Sequence, residues 1–216
     1  MQSRKLPGFS MAEMLIALAI VVLLSLISIF ELRTSNQGEE LRSAAGQLAA
    51  DIRSAQSRAL EAQSVKTCPI GTEQAVCENA DPGCAVGTCK DMTPSGYGVY
   101  ASAGASTYII FADVNPATLD YKYTNSKELF QSRDVLNGTT GKVSIESITT
   151  FRPLGGAPQA WASVSFVRQS GQTHIIDPLV GAQPEPFLIR ILLRHAVSGK
   201  SLEVEVNQAT GRVSII

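Results

Sequence analysis

The sequence predicts an α+β protein: a long N-terminal helix, its first half transmembrane, packed on a small antiparallel β-sheet domain. Three observations predict it. Apolar residues crowd into Phe9–Phe30, where Glu13 is the one charge and neither Gly nor Pro occurs. Beyond them, Leu41, Ala45, Leu48, Ile52, Ala55 and Ala59 recur at steps of four and three, the stripe of an amphipathic helix. From Gly96 the texture turns to short β-rich runs between Gly-containing turns. Composition agrees with a packed chain, since 44% hydrophobic and 17% charged residues over 216 positions exclude disorder. A net charge of −1 leaves no general excess of cations for nucleic acid.

Residues 1–8 form a basic leader carrying Arg4 and Lys5. Residues 9–30 follow as the transmembrane or filament-core helix; at ~1.5 Å per residue they span ~33 Å, enough for a hydrocarbon core of ~30 Å. The basic leader places Met1 in the cytoplasm and the C-terminal domain outside it, as a single-pass protein of the inner (cytoplasmic) membrane. An ordinary secretory signal fits less well, because no small-x-small cleavage site follows the apolar run. Glu13 is the oddity. A carboxylate in an apolar span costs ~2.5–3.5 kcal/mol on insertion scales, so it calls for a partner. Residues 31–64 continue the helix, bent or frayed near Asn36-Gln37-Gly38.

Residues 65–95 read as a loop rich in Gly, Pro, Asp and Thr that holds Cys68, Cys77, Cys84 and Cys89. No CxxC pair occurs, which argues against zinc. Outside the cytoplasm disulfides are the expected state, with metal ligation and free thiols as alternatives and all three connectivities open. Residues 96–216 form the antiparallel β domain. Its candidate strands are Gly98–Tyr100, Thr107–Phe111, Tyr121–Tyr123, Lys142–Thr149, Ala162–Arg168, Leu188–His195, Leu202–Val206 and Arg212–Ile216. Leu202, Val204 and Val206 alternate with Glu203, Glu205 and Asn207, the pattern of a half-buried strand.

The stretch from Lys5 through Gly8-Phe9 to Glu13 resembles the class III signal of type IV pilins and type II secretion pseudopilins. The resemblance implies that a prepilin peptidase cuts between Gly8 and Phe9 and N-methylates Phe9. It also implies that Glu13 pairs with the new amine of a neighbouring subunit. Three further segments resemble the GspH/FimT minor pseudopilin family: the run Leu48–Leu60, Gly96-Tyr-Gly-Val-Tyr100, and Asn207-Gln-Ala-Thr-Gly-Arg-Val213. That family's domain sets two small antiparallel sheets against the helix. Its members assemble, and in minor forms initiate or cap, a type IV pilus or a secretion pseudopilus. The partners implied are other pilin or pseudopilin subunits, the prepilin peptidase and the inner-membrane assembly platform.

The alternative is a DNA-binding minor pilin acting in DNA uptake. Some relatives of that kind capture DNA through a GRxR ending, but here Gly211-Arg212-Val213-Ser214 lacks the second arginine. Arg190 and Arg194 share one strand face near it, with Glu203 and Glu205 expected on the neighbouring strand to neutralise them. Nucleic acid is therefore not an expected partner.

Other motifs carry no chemistry. Gly96–Ala101 imitates a dinucleotide fingerprint but continues as a strand. Gly199-Lys200-Ser201 lacks the earlier glycine of a P-loop. Asp113, Asn115 and Asp120 could offer oxygens to calcium, yet no Glu closes the loop. His174 and His195 join no motif. We expect no enzyme activity, cofactor or metal.

Overall fold

The computed structural model describes residues 11–71, 73–77, 84, 87–114, 122–123, 126–135, 142–180 and 183–216, the side chains of 27–35 excepted. The chain divides into two compact units, one ending at Glu39 and the other running from Glu40 to Ile216. Helix α1 covers Met11–Leu60 and runs without interruption through Gly38. The expected membrane crossing is corrected: among the described residues no helix is long and apolar enough to span a bilayer. The single-pass inner-membrane placement falls with it.

The expected fold class is also overturned. The described chain is mostly β, with strands in three antiparallel sheets rather than one small domain beside a helix. The first sheet has the order β2-β1-β3, from β1 (Val65–Ile70), β2 (Glu73–Val76) and β3 (Lys90–Met92). The second is β10-β9-β4-β5-β6, from β4 (Gly96–Ser102), β5 (Thr107–Asp113), β6 (Leu129–Asp134), β9 (Trp161–Val167) and β10 (Thr173–Ile176). The third is β13-β12-β11-β7-β8, from β7 (Val143–Arg152), β8 (Gly155–Gln159), β11 (Leu188–His195), β12 (Ser201–Asn207) and β13 (Val213–Ile215).

The differences have local causes. The stretch read as a Cys-containing loop carries a whole sheet, because β1 pairs with β2 on one side and β3 on the other despite its turn-forming composition. β8 is built from Gly-Gly-Ala-Pro-Gln, residues of a turn, and owes its extension to the ladder offered by β7. Its Pro158 sits on an outer strand, where a missing N–H is tolerated. Lys122 and Tyr123 lie outside any strand, and Tyr121 outside the described residues. In β7, Ile145 and Ile148 are three apart and should face opposite ways. A register shift opposite Leu192/Leu193 restores both to the core.

The Glu40–Leu60 part of α1 belongs to the sheet-bearing unit. Leu41, Ala44, Ala45, Leu48, Ala49, Ile52, Ala55 and Ala59 are all buried there with the inward residues of the second and third sheets in one core. The many alanines let the helix backbone approach closely, while Leu48 and Ile52 supply the larger volumes. Each such large side chain contributes ~1.5–3 kcal/mol relative to exposure.

The helix ends with Ala62 in the left-handed region at φ 50°. Gln63 N–H donates to Arg58 C=O at 3.0 Å and Ala62 N–H to Ala59 C=O at 3.2 Å, the two bonds of a Schellman cap. A Cβ is disfavoured there, so Ala62→Gly is expected to stabilise the unit by ~0.5–1 kcal/mol. A higher urea midpoint at unchanged slope would register the gain.

Candidate functional site

Among the described residues, the first unit presents a run of exposed apolar side chains. Leu15, Ile16, Leu18, Val21 and Leu23 are each at least 60% exposed, and Met11 is 86% exposed. Contiguous exposed apolar surface on this scale marks an interaction site in a folded protein. Glu13 lies exposed on the first helical turn and, with Met14, Ala17, Leu18 and Val21, lines a shallow depression of about 530 Å³. Gly8 and Phe9, the expected processing site, lie outside the described residues.

The cations expected for DNA are dispersed and mostly engaged. Arg190 stands opposite Glu205 in the ladder, donates to it at 2.9 Å, approaches Glu203 at 3.8 Å, and stacks on the Phe151 ring at 5.0 Å. Arg194 turns the other way and pairs with Glu146 of β7 at 2.5 Å, not with β12 as the sequence suggested. Its partner sits at the register shift, which alternation alone does not reveal. Arg212 is exposed in the turn before β13, with its backbone N–H bonded to Thr210.

All four cysteines are paired, Cys68 with Cys84 and Cys77 with Cys89. Asp113 is buried at the end of β5, and Asn115 and Asp120 fall outside the described residues.

Several residues that sequence reasoning passed over tie the elements together. His195, fully buried at the end of β11, contacts Glu40 through Nε2 at 2.9 Å, while its Nδ1 accepts from Ser198 N–H. Those partners select the tautomer protonated at Nε2. Tyr108 of β5 donates to Asp51 of α1 at 2.5 Å. Burial first, then the bond to the Asp51 carboxylate, pushes the Tyr108 phenol far above its ordinary range. Arg152 of β7 reaches Asp177, just after β10, at 2.6 Å. No period-two or helical pattern announces such long-range pairs.

A groove of about 660 Å³ lies between the end of α1 and two hairpin turns, lined by Gln56, Thr173, Gln208, Thr210 and Gly211 among others. Its polar lining is amide and hydroxyl, with Leu60 and Ala209 beside it and no ionisable side chain. Neither this groove nor the ion pairs above places a nucleophile beside a base. Comparison with known proteins adds no relative: no family model, curated protein or solved structure matches the chain.

Proposed function

We propose that this chain is an interaction subunit of the minor-pilin or pseudopilin kind, assembling through its N-terminal helix rather than catalysing a reaction. The observation that carries this reading is the exposed apolar surface of α1 from Met11 to Leu26, on a chain whose second unit has a complete core of its own. Such a surface is covered most economically by like helices of neighbouring subunits. Glu13 then pairs with the amine of a neighbour's Phe9, and the cost of leaving a carboxylate unpaired in an apolar bundle sets the register. Duplex DNA capture is the weaker reading, because Arg190 and Arg194 already face carboxylates.

Co-expression with a prepilin peptidase tests this. The mature chain should begin with N-methyl-Phe9, and Gly8→Val should retain the leader, both read by mass spectrometry. Glu13→Ala should be processed normally yet be depleted in isolated filaments. An intact leader in a host with active peptidase overturns the assignment; normal incorporation of Glu13→Ala removes the role given to the carboxylate.

A further inference from the structure

The two disulfides are neighbours in space as well as in sequence. Cys77 Sγ lies 4.0 Å from Cys84 Sγ, although the two belong to different bridges. The sulfurs of Cys68, Cys77 and Cys84 all fall within 4.8 Å of one another. Their accessibility is graded. Cys89 is exposed, Cys77 and Cys84 are half-buried, and Cys68 is fully buried. The first sheet supplies the frame: Cys68 lies on β1, Cys77 directly follows β2, where its N–H bonds to Lys66 C=O at 2.8 Å, and Cys89 directly precedes β3.

We infer that the bridges form a thiol-exchange relay, entered at Cys89 and ending at Cys68, whose external substrate is a small monothiol. A thiolate from solvent attacks Cys89 Sγ, the exposed end of its bridge. The Cys77–Cys89 bond breaks, a mixed disulfide forms on Cys89, and the electron pair leaves on Cys77. The Cys77 thiolate already touches Cys84 Sγ and needs an approach of only about 2 Å to reach bonding distance. Its attack forms Cys77–Cys84 and expels Cys68 as a thiolate, which takes a proton. One disulfide is consumed and one formed at each step, so no net oxidant or reductant is required. Exchange within the cluster outruns attack by a second external thiol, because the neighbouring sulfur is held at high effective concentration. The product carries the monothiol on Cys89 and a free thiol at a buried position, so surface reduction is transmitted inward.

The test uses the full chain and glutathione. After brief exposure the reaction is quenched in acid, free thiols are blocked with N-ethylmaleimide in denaturant, and bridges are mapped by peptide mass spectrometry. The relay predicts glutathione on Cys89, a Cys77–Cys84 linkage, and maleimide on Cys68. Maleimide on Cys77 with Cys68–Cys84 intact overturns it, as does an unreactive Cys89. Cys89→Ser provides a second arm, since it leaves Cys77 unpaired from the start. That variant should carry Cys77–Cys84 and a Cys68 thiol; a retained Cys68–Cys84 bridge, or dimers joined through Cys77, contradicts the relay.

Discussion

Asp177→Asn is expected to lower the stability of the sheet-bearing unit by ~3–5 kcal/mol, the usual cost of removing one partner from a buried ion pair. The side chain of Arg152 is 6% exposed and that of Asp177 is 0% exposed, so neither charge can fall back on water. Every arm of the pair is used. Asp177 accepts from Arg152 at 2.6 Å, Thr150 Oγ1 at 2.7 Å and Leu179 N–H at 3.0 Å. Arg152 also donates through Nε to Pro184 C=O at 2.8 Å. The clamp joins β7 of the third sheet to the chain leaving β10 of the second. Asparagine cannot keep the charge, and Arg152 is left buried without its counter-ion. The double variant Arg152→Met/Asp177→Leu should recover most of the loss, because a shape-filling apolar pair removes both desolvation costs. Equal loss in the single and double variants would refute the electrostatic account.

The same clamp sets an acid limit. Burial raises the Asp177 carboxyl, but the bonds from Arg152, Thr150 and Leu179, with the Arg152 charge, outweigh it and hold the group below its ordinary value. A carboxyl with a depressed folded pKa stabilises fully above its unfolded pKa, ~3.9, and loses that contribution as pH falls through the lower folded value. Urea denaturation should therefore show stability falling below about pH 4, with a shallower fall in Asp177→Asn.

Gly98→Ala is the second large effect, expected to cost ~3 kcal/mol, the upper end for overpacking a core. A Cβ at Gly98 would lie 2.5 Å from the Phe111 ring and 2.6 Å from the Val164 carbonyl oxygen. Gly98 stands directly opposite Phe111 on β5, whose ring covers the missing side chain. Gly156 and Phe151 repeat this arrangement in the third sheet. Phe111→Ala removes a fully buried ring and is itself costly. The double variant with Gly98→Ala should therefore be less stable than Gly98→Ala alone but lose less than the sum of the two single changes, since the ring clash is relieved while the Val164 backbone cannot retreat. Gly46→Ala is the control of opposite sign: nothing lies within 4 Å of its would-be Cβ in α1, so helix propensity should add ~1 kcal/mol. Thermal or urea unfolding of the three variants reads all these differences.

The Gly98 result bears on how much the sequence discloses. Gly96-Tyr-Gly-Val-Tyr100 is legible as a strand from its aromatic and β-branched residues, but the need for glycine is not. That need arises from a ring on β5 and a carbonyl on β9, both remote in sequence. Strand β11 is legible in the sequence at its observed limits because Ile189, Ile191 and Leu193 alternate with outward residues. β6, with its half-exposed polar residues, and β8, with its turn composition, offered no such signal.

What the sequence determined by itself is periodic: the buried helical stripe from Leu41 to Ala59, the alternating strands of the C-terminal hairpin, and the concentration of apolar residues before Phe30. These follow from local geometry, since side chains at steps of 3.6 or 2 must share a face. Only the tertiary structure decided the number of sheets, the β-structure hidden in the cysteine segment, the direction in which Arg194 pairs, and the buried Arg152–Asp177 clamp. Each depends on which distant strand supplies a hydrogen-bonding edge or a counter-charge. Such long-range pairing leaves no period in the chain from which it could be read.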